Sequence, residues 1–123
     1  MKDKLTVEES TRLIELGVDA KLASKHTLGV QIPTDIPNVY RKIDGGEPIF
    51  TLADLISILP KEIDCYYLNI SAYMAEWCVS YERTSCCDIF EIKCSRSAPE
   101  LIDALYQLAI YVLENFPNEN HKN

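Results

Sequence analysis

The apolar positions of this chain change their spacing several times, and each change marks an element. Thr6-Val7-Glu8-Glu9 reads as a capping box, with a Thr hydroxyl able to accept from the N–H three residues on and Glu9 able to reach back. A short helix over 6–16 follows, with Leu13, Ile14 and Leu16 on its apolar side and Gly17 suited to its C-terminal cap. Asp19 is placed to cap one further turn within 18–24. Residues 25–38 carry Pro33 and Pro37, which predict irregular chain rather than ladder or helix. Two β-prone pieces, VYRKI and EPIF, flank Asp44-Gly45-Gly46 and predict a small hairpin. Thr51-Leu52-Ala53-Asp54 then opens a second helix that Pro60 closes. Its Leu52, Leu55, Ile56 and Leu59 fit the i, i+3, i+4, i+7 pattern of a helix with one buried face.

The spacing next shifts to alternation, predicting strands over 64–70, 77–83 and 88–94. Pairing Val79 with Ile92 sets Tyr81 against Phe90, Trp77 against Cys94 and Arg83 against Asp88. Pairing Leu68 with Val79 sets Tyr66 against Tyr81 and Ile70 against Trp77. This register collects Tyr66, Leu68, Ile70, Trp77, Val79, Tyr81, Phe90 and Ile92 on one face. Cys65, Tyr67, Asn69, Cys78, Ser80, Glu82, Ile89, Glu91 and Lys93 fall on the other. The pattern is that of an antiparallel sheet with one face on the core and the other open.

Ser97-Ala98-Pro99-Glu100 reads as another capping box, and a helix runs from there to Phe116, where Pro117 stops it. Leu101, Leu105, Leu108 and Val112 form one apolar stripe. Ile102, Tyr106, Ala109, Leu113 and Phe116 form a second beside it. A surface helix needs only one such stripe. This helix is therefore sandwiched between the sheet and the N-terminal helices, or it also faces another subunit. The expected fold is α+β: a three-stranded antiparallel sheet, one face packed by a long C-terminal helix, with two shorter helices N-terminal to the sheet. One domain over 1–117 and a polar tail over 118–123 complete it.

Charge narrows the range of functions. The net charge of -7 opposes phosphate backbones and anionic lipid. The basic clusters, Arg41-Lys42 and Lys93 near Arg96, are thin. No apolar run reaches the roughly 18 residues of a membrane span, and MKDKLTVEES lacks the apolar stretch of a signal peptide. The expected setting is cytoplasmic, with neither nucleic acid nor membrane as partner. There the five cysteines are expected as thiols rather than a disulfide frame.

Those cysteines do not assemble a metal or redox site. Their spacing lacks the paired knuckles of structural zinc and the C-x-x-C of a thiol oxidoreductase. Alternation also puts Cys78 and Cys94 on opposite faces of the sheet. Only Cys86-Cys87, in the expected hairpin loop, keeps a role as a candidate thiol switch. His26 sits in a polar connection and His121 in the tail, with nothing to pair either with a nucleophile. Gly45-Gly46 lacks the GK[ST] ending of a phosphate loop. Glu82 and Glu91 share the open face in this register and form a candidate carboxylate pair, with Lys93 beside them. The order helix, three strands, helix is similar in topology to the double-stranded RNA-binding domain. Glu100 and Asp103 stand where such domains need basic residues at the last helix.

The segments PIFTLADLISILP, YYLNI, WCVSYERT and SAPELIDALYQLAIYVLEN resemble a group of short proteins from prophages and mobile elements of gut bacteria. The resemblance spans about residues 48–115. It implies a bacterial cytoplasmic setting and brings no catalytic residues with it. No catalytic, cofactor or metal constellation emerges from the residues. The expected function is that of a small non-enzymatic accessory protein acting by protein–protein contact, as a homodimer or with another protein. Ile102, Tyr106, Leu113 and Phe116 of the last helix are the candidate interface. The alternative is a small-ligand-binding protein or hydrolase using Tyr67, Asn69, Ser80, Glu82 and Glu91 on the open sheet face.

Overall fold

Thr6 caps the first helix as its sequence predicts. Its hydroxyl accepts from the Glu9 N–H at 3.1 Å, and Glu9 accepts from the Thr6 N–H at 3.0 Å. In the computed structural model, which describes residues 1–27, 31–33, 35–37, 40–42, 46–84 and 90–116, this helix is α1 (Val7–Glu15). Gly17, at φ +112°, turns the chain out of it. Asp19 caps a single 3₁₀ turn over Ala20–Leu22.

The following region departs from expectation. Strand β1 (Lys25–His26) pairs with β4 (Pro48–Ile49), and β2 (Gln31–Pro33) pairs with β3 (Tyr40–Lys42), both antiparallel. The expected hairpin between 39–43 and 47–50 is thus replaced by two nested pairs reaching back into the segment expected to be irregular. Pro33 and Pro48 are tolerated because each pair has only two strands, which leaves a proline without a second ladder to break. Gly46 is held tightly there: a β-carbon on it would lie 1.7 Å from the Thr27 carbonyl oxygen. Asp44 and Gly45 lie outside the described residues.

Helix α2 (Leu52–Ile58) opens on a second capping box, between Thr51 and Asp54. Burial pushes the Asp54 carboxyl up, but hydrogen bonds from Ser24 and Thr51 outweigh it and hold the group below the usual carboxylate range. Asp54 thereby ties α2 to the chain that follows the 3₁₀ turn.

Four antiparallel strands follow in the order β5 (Glu62–Ile63), β6 (Tyr66–Tyr73), β7 (Glu76–Thr84) and β8 (Phe90–Ala98). The sheet has one short strand more than the three expected. Two-residue turns join β5 to β6 at Asp64-Cys65 and β6 to β7 at Met74-Ala75. All four turn residues have positive φ, 51° and 71° in the first turn and 49° and 66° in the second. This is the type I′ geometry that matches strand twist, usually built with Asn and Gly.

The tight second turn corrects the register. Leu68 faces Tyr81 rather than Val79, and Ile70 faces Val79 rather than Trp77. On the other side, Val79 faces Arg96 and Tyr81 faces Cys94, where Ile92 and Phe90 were expected. Both slips are even, so Leu68, Val79 and Tyr81 still point toward the helix. Val79 and Tyr81 are fully buried, and the Tyr81 hydroxyl donates to the Pro60 carbonyl at 2.7 Å.

Helix α3 (Leu101–Asn115) packs on β7 and β8 with one side and on α2 with another. Its two apolar stripes are accounted for in this way: Leu101, Ile102, Leu105, Leu108, Val112 and Leu113 are all buried within the chain. Each such leucine or isoleucine contributes about 1.5–3 kcal/mol by leaving water. The capping box expected at Ser97 does not form, because Ser97 is held in β8 opposite Cys78. Glu100 is the N-cap residue, and its carboxylate accepts instead from the Lys2 N–H at 3.1 Å. The Lys2 ammonium reaches Asp103 at 2.8 Å, fastening the start of the chain to α3. Among the described residues, no helix is long and apolar enough to cross a membrane.

Candidate functional site

The face of the sheet turned away from α3 is built by rows of residues facing one another across β6, β7 and β8. Ser71, Cys78 and Ser97 form one row, and Asn69, Ser80 and Ser95 the next. In the third row Tyr67, Glu82 and Ile92 stand side by side, and Thr84 faces Phe90 beyond it. Tyr73 and Glu76 close the opposite end at the hairpin.

A β-bulge produces the third row. Tyr81 pairs with Cys94, yet its neighbour Glu82 pairs with Ile92, so Lys93 has no opposite residue. A bulge inserts one residue and resets alternation beyond it. Ile92 and Phe90, expected on the core face, are turned outward and stand 51% and 56% exposed. Tyr67, beside them, is 56% exposed. Even alternation in β8 cannot reveal this, and a lone bulge leaves no signature in composition.

The same bulge carries Glu91 to the helix side, which corrects the expected pairing of Glu82 with Glu91. Glu91 accepts from Arg83 Nε at 2.9 Å and from the Tyr66 hydroxyl at 3.0 Å. The hydrogen bond from Arg83, then that from Tyr66, holds the Glu91 carboxyl below its usual range. The Arg83 guanidinium lies 4.5 Å from the Tyr66 ring centroid. The Lys93 ammonium lies 5.2 Å from both the Tyr66 and Phe116 rings, and 3.3 Å from Asp64. This cluster pins the bulge and fastens the end of α3.

Of the candidate ligand residues, Tyr67, Asn69, Ser80 and Glu82 therefore share one face and Glu91 does not. The Glu82 carboxylate accepts from Asn69 Nδ2 at 3.3 Å and from the Ser80 hydroxyl. Tyr67, Asn69, Glu82, Thr84 and Phe90 surround a shallow hollow of about 270 Å³. A hydrogen bond to Glu62 raises the Tyr67 phenol above its ordinary value.

The candidate interface on α3 divides. Ile102 and Leu113 are buried within the chain and present nothing outward, which corrects their assignment to an interface. Tyr106 and Phe116 are half-buried. Tyr106 lines a groove between α1, α3 and β8, while Phe116 lies beneath Lys93.

Cys65 is exposed, Cys78 half-buried and Cys94 buried, and burial pushes the Cys94 thiol up, away from the reactive thiolate. Cys78 and Cys94 do lie on opposite faces. Cys86, Cys87, Asp88, Ile89 and His121 lie outside the described residues, as does any contact with them. Among the described residues, no three histidine, cysteine or acidic side chains gather as a metal would require. His26 is exposed, in β1. No family model matches the chain, and neither the curated proteins nor the solved structures contain a significant match to it.

Proposed function

We propose that this protein works by protein–protein contact and that a second copy of the chain docks on the open face of its sheet. The supporting observation is the composition of that face. Tyr67, Phe90 and Ile92 stand exposed together at one end. Across the four strands Glu62, Glu76 and Glu82 are the charged residues on this face, in a chain of which 25% is charged. Depletion of charge around exposed aromatic and aliphatic side chains distinguishes the centre of an interface from ordinary surface. The scarcity of charge also lets two copies approach despite a net charge of -7 each. Two such faces pack about 10 Å apart, as sheets do in a sandwich. A bacterial, cytoplasmic setting belongs to the same proposal and is carried by the resemblance alone.

Sedimentation velocity at tens of micromolar tests it. The dimer is expected for the unmodified chain, and the monomer for the combined variant Tyr67→Ser, Phe90→Ser, Ile92→Ser. A monomeric unmodified chain contradicts the proposal.

The second reading is a small polar ligand seated in the hollow over Glu82. It is favoured by the convergence of Asn69 and Ser80 on one carboxylate beside two exposed rings. Such a ligand would offer donors to Glu82 and a flat face to Tyr67 or Phe90.

A further inference from the structure

Strand β8 ends its sheet. Among the described residues it pairs with β7 alone, so one long edge of Phe90–Ala98 has no strand beside it. A groove of about 490 Å³ runs next to that edge on the helix side, lined by Arg12, Arg96, Tyr106, Ile110, Tyr111 and Glu114 among others. An unpaired edge beside a groove is the arrangement by which sheets take up extended peptides: the backbone supplies affinity and alternate side chains supply specificity.

The groove has a definite charge character. The Arg96 guanidinium lies 4.9 Å from the Tyr111 ring centroid and donates to the Ser95 carbonyl at 2.6 Å. No carboxylate pairs with it among the described residues. Arg12 reaches Glu15 at 3.7 Å, a contact between two well-exposed groups that solvent largely screens. A guanidinium resting on a ring is preorganised and still offers its N–H fork to a carboxylate. Two arginines in one groove of an acidic chain select acidic groups locally.

Building on the protein-contact reading, we propose that β8 and this groove receive an extended acidic segment of a partner protein as an additional strand. The segment lies about 4.8 Å beyond β8 and exchanges backbone hydrogen bonds with its edge. Every second side chain then falls on the helix side. Carboxylates there meet Arg96 and Arg12, and apolar side chains rest on Ile110 and Tyr106. Glu114 excludes a carboxylate at its own end and so fixes the register. A second copy fits this edge poorly. Two β8 strands paired antiparallel about Cys94 and Ser95 would set Lys93 against Arg96, like charge against like.

The test uses the full chain and labelled peptides of equal length, read by fluorescence anisotropy. One alternates glutamate and valine and one alternates lysine and valine. Two more are glutamate–valine peptides N-methylated on alternate amides, in the two possible registers. Saturable binding is expected for the glutamate–valine peptide. About tenfold weaker binding is expected for the lysine peptide and for one N-methylated register, with the other register unaffected. Arg96→Ala is expected to weaken binding about tenfold. Arg12→Ala, on the exposed side of α1, is expected to weaken it in the same direction without touching β8. The proposal is overturned if no peptide saturates, if the lysine peptide binds as tightly, or if both N-methylated registers bind like the parent. It is also overturned if the β8 amides from Lys93 to Ala98, away from the exposed Tyr67, Phe90 and Ile92 patch, become protected with rising concentration in the unliganded protein, which would place a second copy on the edge. Tyr67→Ser lies on β6, two strands away from β8, and is expected to weaken self-association while keeping the peptide. Failure of self-association and failure of peptide binding are therefore read separately.

Discussion

Glu91 and Arg83 face each other across β8 and β7 on the helix side of the sheet, with Arg83 Nε and Nη2 both 2.9 Å from the same carboxylate oxygen. This pair is what holds the chain beyond the bulge. With Glu91 fixed inward, Ile92 and Phe90 must alternate outward onto the open face.

The pair carries a pH dependence with a definite sign. The Glu91 carboxyl titrates lower in the folded chain than in the unfolded one. Its stabilisation is complete above the unfolded value, about 4.3, and is lost as pH falls through the lower folded value. Glu91→Gln is therefore expected to be less stable than the parent at neutral pH. The difference is expected to narrow progressively as pH falls below about 4. Urea titrations of both proteins at neutral and acidic pH measure it. A deficit that stays constant down to the acid limit would remove the ion pair as its cause.

Gly46 is a steric requirement. Any β-carbon there meets the Thr27 carbonyl oxygen at 1.7 Å, where Thr27 and Glu47 exchange hydrogen bonds of 2.8 and 2.9 Å. Gly46→Ala is expected to cost about 2–3 kcal/mol in urea unfolding, since the neighbour is backbone and cannot swing aside. A cost near zero would mean that β1 and β4 separate without consequence for the rest of the fold.

The Met74-Ala75 turn is strained in the opposite sense. Neither residue favours positive φ, and Met74 is 80% exposed. Met74→Asn with Ala75→Gly supplies the residues a type I′ turn prefers and is expected to stabilise by about 1 kcal/mol. A raised melting temperature with unchanged spectra checks it; a lowered one would show that Met74 makes a stabilising contact.

Ser10 is a buried hydroxyl with one task, accepting from the Phe50 N–H at 3.1 Å. Ser10→Ala leaves that amide buried and unpaired, at a cost of about 1–3 kcal/mol. Ser10→Gly enlarges the space without restoring the bond and is expected to be no better. Chemical denaturation of both variants measures the effect.

The elements most visible in the sequence are those encoded by local rules. The capping box at Thr6, the helix start at Thr51, the cap at Asp19 and the doubly apolar C-terminal helix are all present. In the helix's second stripe Ile102, Ala109 and Leu113 are buried within the chain, while Tyr106 and Phe116 stay half-buried. What alternation could not reveal is register. Inward and outward parity of Val79 and Tyr81 survives any even slip, so the pattern fits several pairings equally well. The Met74-Ala75 turn carries no Asn or Gly to announce itself, and Lys93 looks like an ordinary outward residue of β8. For the candidate site this meant that Tyr67, Asn69, Ser80 and Glu82 were legible together, while Glu91 was placed on the wrong face. The exposure of Ile92 and Phe90 was hidden because it depends on a bulge held by Arg83, Tyr66 and Glu91, three residues distant in sequence.

The central claim, that the open sheet face is where a second copy docks, is tested most directly by amide chemical shifts followed on dilution. Concentration-dependent shifts centred on Tyr67, Asn69, Glu82, Phe90 and Ile92, with Ile110 and Glu114 of α3 unchanged, are the expected result. Shifts that do not move with concentration, or that move only along α3, would contradict it.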